Sequence, residues 1–265
     1  MKLIYIYHSG FALVGENFTV IIDYYKDSAS QLLTGVVHDE LLERPGKLYV
    51  LSSHSHADHF NPEVLEWKVM HPDVQYVFST DILENGLARL NDACYLSKGE
   101  TWSDEVLEVE AFGSTDLGIS FLLRLDGKLS FHAGDLNNWH WKEESTEEEV
   151  CEAENAYLAE LEILARRTDR MDLVMFPVDP RLGLEYMLGA KQFVDRFRVG
   201  MFVPMHFDEE YVRANAFREY AESRGVRFFT GNKKESMEHD EIMPVVMACI
   251  SMGKQKVGVR HRIHR

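Results

Sequence analysis

Four side chains able to bind a metal ion fall within six residues, in the run His54-Ser55-His56-Ala57-Asp58-His59. In extended backbone alternate side chains share a face, so His54, His56 and Asp58 turn toward one region. His59 follows Asp58 directly and turns toward a neighbouring position. The spacing fits two adjacent metal ions, His54 and His56 on one, Asp58 and His59 on the other. Imidazole with carboxylate suits zinc, and also iron, manganese or cobalt. A binuclear site needs further donors. Asp135, in Phe131-His132-Ala133-Gly134-Asp135, and His206, in Val203-Pro204-Met205-His206-Phe207, each stand just past an apolar run. Gly134 permits the close backbone approach that lets a short carboxylate bridge two ions.

The elements around these residues explain how they could be held. Leu3–Tyr7, Phe11–Val14 and Phe18–Ile22 are short apolar runs separated by Ser9-Gly10 and Gly15-Glu16-Asn17, the pattern of an antiparallel meander. Lys47–Leu51 reads as a strand running into the histidine cluster. Asn61-Pro62-Glu63 reads as a helix start, with Asn61 as N-cap and Pro62 in the first turn. The cluster is thus expected on a loop anchored by a strand and a helix, which argues against a chance His-rich surface loop. Further strands are expected at 74–79, 105–112, 119–125, 129–133, 172–176 and 201–204, with helices at 62–70, 81–89, 146–167, 186–196 and 209–223. In the long helix Ser145 and Glu148 form a candidate capping box, and Val150, Ala153, Tyr157, Leu161 and Leu164 share one face. Seven glutamates between residues 143 and 154 form a solvated face, with Arg166 and Arg167 closing the helix in the order its dipole favours. The class is mixed α/β, with no internal repeat and no linker-like stretch.

With 265 residues the chain can bury a sizeable core, and one domain over 1–265 is expected, the tail after about 245 unassigned. The net charge of -16 opposes a nucleic-acid partner. Cys94, Cys151 and Cys249 are sparse and far apart, and read as packing residues in a reduced compartment. The apolar start is too short for a secretory signal, and no run reaches the ~20 residues of a membrane span. A cytoplasmic protein acting on a small molecule is expected, with homo-oligomerisation left open. The basic ending Arg260-His261-Arg262-Ile263-His264-Arg265 has no assigned role.

The order His54-x-His56-x-Asp58-His59, Gly134-Asp135, His206 resembles the metallo-β-lactamase superfamily, and Asp23 matches its first motif, an acid that orients the ligand loop from behind. The resemblance covers roughly residues 2–230. With His8-Ser9-Gly10-Phe11, His132-Ala133-Gly134-Asp135 and Pro204-Met205-His206, the chain is similar to the branch of L-ascorbate-6-phosphate lactonase and to uncharacterised bacterial, often clostridial, hydrolases. The resemblance implies a four-layer αβ/βα sandwich with zinc at one edge of two sheets. It also implies a histidine in a third motif, where this chain has Gly113-Ser114-Thr115-Asp116-Leu117-Gly118. Asp116 could replace the missing ligand, a harder donor that favours manganese or iron. Alternatively His140, in Asn137-Asn138-Trp139-His140-Trp141, could fold back into the site, or one metal could be held by Asp58, His59, Asp135 and His206.

His8 and His140, like Asp23, are expected behind the ligands. Trp139 and Trp141 are expected as a pocket wall. Arg181, in Asp179-Pro180-Arg181, is placed to grip a phosphate or carboxylate. The implied chemistry is hydrolysis by metal-bound hydroxide, with Asp58 as ligand and orienter of the nucleophile, on a small anionic lactone, ester or phosphodiester. Two other readings stand beside it. One is a degenerate metal-binding protein without catalysis. The other is a diiron redox enzyme, which would carry a carboxylate at position 56 and a flavin domain.

Overall fold

Alternation of apolar side chains along the first strands decides the architecture. β1 (Lys2–Tyr7), β2 (Gly10–Val14), β3 (Phe18–Ile22), β4 (Lys47–Ser52), β5 (Gln75–Ser79) and β6 (Cys94–Leu96) form one sheet in that order, and β1 to β5 are buried on both faces over most of their length. Tyr5, Phe11, Leu13, Tyr49 and Leu51 point into one core, whereas Ile4, Ile6, Ala12, Val50 and Phe78 point into another. A period-2 strand that is apolar on both faces needs cover on both. The computed structural model, which describes residues 1–28 and 34–229, provides it. On one side lie the short helix α1 (Val36–Asp39), the 3-10 segment Pro62–Val69 and the helix α2 (Thr80–Glu84).

On the other side lies a second sheet. It comprises β7 (Thr101–Ser103), β8 (Leu107–Gly113), β9 (Ile119–Leu125), β10 (Lys128–His132), β12 (Leu173–Pro177), β14 (Met201–Met205) and β15 (Arg227–Phe228). A small parallel pair, β11 (Arg170–Met171) and β13 (Arg198–Val199), accompanies it. Helices α3 (Glu147–Ala165) and α4 (Leu188–Arg196) bury Tyr157, Leu161, Phe193 and Ala190 against this second sheet, and α5 (Tyr211–Asn215) and α6 (Arg218–Ser223) follow β14. The result is four layers, helix–sheet–sheet–helix.

Because β2 is antiparallel to both β1 and β3, and β3, β4 and β5 run parallel, the C-terminal ends of β1, β3 and β4 share one edge. β10, β12 and β14 are likewise parallel and end together. His54, His56, Asp58, His59, Asp135 and His206 each follow one of these ends, the usual place for a site in a parallel sheet, and Asp116 follows β8.

Several boundaries differ from the sequence reading for local reasons. The 81–89 helix stops at Glu84, because Gly86 at φ 70 turns the chain out. The 209–223 helix divides around Phe217, fully buried with its ring 4.8 Å from that of Phe202, where Ala216 N is shared between Val212 O and Arg213 O and Phe217 N bonds Ala214 O. The capping box uses Thr146 and Glu149 instead of Ser145 and Glu148, since Ser145 N still bonds Trp141 O. Val150 and Ala153 are only partly buried. Cys94 and Cys151 are exposed and do not pack in the core; Cys249, the tail after 245 and the 260–265 run lie outside the described residues.

Candidate metal centre

Asp23 leaves β3 in the left-handed region at φ 48 and is fully buried. Its Oδ1 accepts Ser53 N at 2.7 Å, and Oδ2 accepts Ser53 Oγ at 2.6 Å and Nδ1 of His59 at 2.8 Å. One carboxylate thus clamps the start of the ligand loop and turns Nε2 of His59 inward. The loop is not extended throughout. His59 N and Phe60 N both bond His56 O, closing a turn, so Asp58 and His59 serve the same group although adjacent. Ser55 N, donating to Asp81 at the start of α2, fixes the far side of the loop.

Asp135 stands between two groups of imidazoles. Its Oδ1 lies 3.1 Å from Nε2 of His59 and 3.4 Å from Nε2 of His206, while Oδ2 lies 3.4 Å from Nε2 of His54. The backbone that delivers it has no room for a side chain one residue earlier. Gly134 has φ 53, and a Cβ there would lie 2.7 Å from Ile119 O and 2.9 Å from Ser53 Cβ. His132 shapes this turn, its Nδ1 accepting Gly134 N while Nε2 donates to Ser9 O.

His206, at φ 61 past β14, repeats the Asp23–His59 arrangement. Its Nδ1 is 3.0 Å from Oδ2 of buried Asp179, and Nε2 faces Asp135 and Asp58. Arg181 closes on Asp179 through Nε and Nη2, at 2.9 and 2.6 Å from Oδ2. The guanidinium expected to grip a substrate is therefore engaged at one edge, although more than half its side chain is exposed.

Two clusters result. His54, His56 and Asp135 offer donor atoms within 4.8 Å of one another, as do His8, Asp58, His59 and His206. Asp116 belongs to neither cluster, but its Oδ2 lies 3.6 Å from Nδ1 of His56, and both side chains are half exposed. Gly118 holds this segment against the ligand loop, Ile119 N donating to Ser53 O. His140 does not fold back. Its ring nitrogens face Glu185 O and Lys142 N, because the 139–145 segment packs toward the Pro180–Glu185 turn. His8 lies among the second cluster, its ring 4.2 Å from that of His206 and its Nε2 3.3 Å from Oδ2 of Asp58. Trp139 stacks on Trp141 and borders His206.

The electrostatics call for a cation. Burial alone would raise the carboxyls of Asp23, Asp58 and Asp135, yet the surrounding imidazoles hold all three below the usual carboxylate range. Burial also opposes protonation of His59, but Asp135 and Asp23 outweigh it and push that ring up to about 10. His206 is pulled down by burial, toward the neutral form that binds metal. Moreover, Nε2 of His59, Nε2 of His206 and Oδ1 of Asp135 are buried without a hydrogen bond among the described residues. Such orphaned atoms are costly alone and are satisfied together by a divalent ion. The donor set fits one.

Ser53, Asp179 and His132 were missed as positioning residues. Ser53 and Asp179 stand beside motifs that were read, but their partners, Asp23 and His206, lie 30 and 27 residues away.

No family model and no curated protein matches the sequence. Solved structures do. Igni18, a metallo hydrolase from Ignicoccus hospitalis, aligns over 86% of this chain and 94% of its own at a TM-score of 0.61 and 16% identity. The metallo-β-lactamase fold protein YhfI from Bacillus subtilis aligns over 86% and 93%, at 0.57 and 10%. The chain has the metallo-β-lactamase fold. CmlA, a diiron β-hydroxylase from Streptomyces venezuelae, shares this fold at a TM-score of 0.60 and 15% identity, and the chain spans 52% of its length. The fold therefore accommodates both hydrolytic and oxidative chemistry, and the choice rests on the site.

Proposed function

We propose that the protein is a metal-dependent hydrolase of small anionic esters, lactones or phosphodiesters, in the manner of the L-ascorbate-6-phosphate lactonase branch, and that it acts in the cytoplasm. The observation that carries this reading is Asp135, with one carboxylate oxygen turned to each imidazole group. His54, His56 and Asp135, with Asp116 beside them, would hold one ion; Asp58, His59, His206 and Asp135 would hold the other. A divalent cation there supplies Lewis acidity and lowers the pKa of water toward neutrality. The hard oxygens of Asp116 and Asp135 admit manganese or iron as well as zinc.

The chain's own groups do the rest. Asp58 is half-buried and held ionised, which suits it to orient a water by accepting its proton in a hydrogen bond. Asp23 and Asp179 accept from the Nδ1 atoms of His59 and His206, so that Nε2 of each faces the centre. Arg181 keeps part of its guanidinium exposed beside the cluster, where it can meet a substrate anion. An imidazole at position 56, where the diiron redox reading expects a carboxylate, favours hydrolysis.

The test is turnover of a panel of lactones, esters and phosphodiesters by protein loaded with zinc, manganese or iron. Activity should require metal and fall at least a hundredfold (~10²) in Asp135→Asn. Metal-loaded protein inert on the whole panel would sink the hydrolase reading.

A further inference from the structure

We infer that His8 is a metal ligand of the buried position, oriented by Asp208, and that this position is closed by protein while the position at His56 stays open for exchange. The inference rests on the metal-centre reading above and deepens it.

His8 occupies the turn between β1 and β2 at φ 56, a conformation that is uncommon for a non-glycine residue and is maintained only where the surroundings impose it. Its carbonyl accepts His206 N at 3.1 Å, tying this turn to the end of β14. The ring is buried, and neither nitrogen makes a hydrogen bond. Instead Nε2 faces Oδ2 of Asp58 at 3.3 Å and Nδ1 lies 2.9 Å from Oδ1 of Asp208. A carboxylate lies against Nδ1 of three imidazoles around one point, hydrogen-bonded at His59 and His206 and as a 2.9 Å approach from exposed Asp208 at His8. Asp23 sits on Nδ1 of His59, Asp179 on Nδ1 of His206 and Asp208 on Nδ1 of His8, with the Nε2 atoms turned inward. A carboxylate on the outer nitrogen is the usual means of fixing a ligating imidazole. A burial site for an unpaired imidazole would show no such partner and no donor atoms of three other ligands within reach.

With His8 counted, the buried position has His8, Asp58, His59, His206 and one oxygen of Asp135. The other has His54, half-exposed His56 and the second oxygen of Asp135, with half-exposed Asp116 alongside. Five protein donors leave little room for solvent, whereas three or four leave a coordination place open, as exchange and substrate binding require.

The test is chelator competition with zinc, joined to X-ray absorption of cobalt-loaded protein at one equivalent. Wild type should bind one ion tightly and a second more weakly, and the first equivalent should show three imidazoles. His8→Gln should weaken the tight ion at least tenfold, spare the weak one and remove one imidazole; Asp208→Asn, on the surface, should weaken the tight ion several-fold. If His8→Gln does not fold, Asp208→Asn and the wild-type imidazole count still decide. Two imidazoles in wild type, or unchanged affinity in a folded His8→Gln, would overturn the role of His8 alone. No bound ion in wild type would overturn the metal centre itself.

Discussion

Asp23 and His59 are thirty-six residues apart in the chain and 2.8 Å apart in space, Oδ2 against Nδ1, with solvent reaching neither side chain. The same carboxylate holds Ser53 through N and Oγ, so one buried charge serves three donors. Asp23→Asn keeps the shape but removes the charge and turns an amide NH2 toward one of those donors. It should cost about 3 kcal/mol of stability and lower metal affinity about tenfold or more. Urea midpoints and chelator competition measure both, and unchanged values would show that Asp23 does not anchor the loop.

Gly134→Ala tests the turn that delivers Asp135. The residue is left-handed, and a methyl group would press on Ile119 O at the start of β9 and on Ser53 at the start of the ligand loop. Strain and clash together should cost about 2–4 kcal/mol and shift Asp135 enough to depress metal binding. Wild-type stability and metal content in this variant would mean that the turn relaxes freely.

The sequence made some of this legible and hid the rest, for physical reasons. Short-range pattern carried the strands: the apolar runs Phe18–Ile22 and 119–125 coincide with β3 and β9. Ligands packed into six residues announced themselves for the same reason, since one loop supplies them. That His8 lies among the second cluster depends on β1 ending beside β14, a long-range outcome of sheet packing that no local spacing encodes. His140 was offered to the site on its type alone, whereas Lys142 N and Glu185 O had already taken its nitrogens. β6, β7 and the two-residue strands are too short for periodicity to register.

Removing metal should destabilise the protein. Buried carboxylates and imidazoles that a cation would satisfy are left to repel or stand unpaired. A ligand present at about a thousand times its dissociation constant contributes about 4 kcal/mol, which corresponds to a Tm shift of about 10 °C in a chain of this size. Melting with and without a chelator, then with zinc or manganese restored, measures it. An unchanged Tm would argue that no ion binds the folded state preferentially.

His38 makes stability depend on pH beneath the ligand loop. Its Nδ1 lies 2.8 Å from Asp27 and its Nε2 2.6 Å from Glu63, joining α1 to the 3-10 segment that follows the loop. Burial disfavours the charged ring, but the two carboxylates outweigh it and raise its pKa above 6.5. A group raised on folding contributes its full stability below the unfolded pKa of about 6.5 and loses it as pH climbs through the folded value. Wild type should therefore weaken relative to His38→Gln as pH rises above about 6.5, measured by urea midpoints at each pH in a metal-free buffer. Parallel pH curves would sink the assignment.

Arg181 has a second task beside the anion grip expected from the sequence, the support of Asp179. Its Nε and Nη2 are spent on Asp179, whose carboxyl is held down to about 2 although burial pushes it up, and Asp179 in turn orients His206. Losing the guanidinium should disturb that chain for every substrate alike, so Arg181→Ala should lower kcat/KM by about tenfold even on neutral esters. The remaining exposed face can still meet an anion, and a charge-assisted hydrogen bond is worth about 1.5–3 kcal/mol, a further tenfold or more in KM for anionic substrates only. Arg181→Lys keeps the charge but cannot span both oxygens of Asp179, so it should recover the anion preference and leave the common defect. Kinetics of paired anionic and neutral esters read the two roles separately. Equal losses on both substrate classes would remove Arg181 from substrate recognition and leave it solely as the support of Asp179.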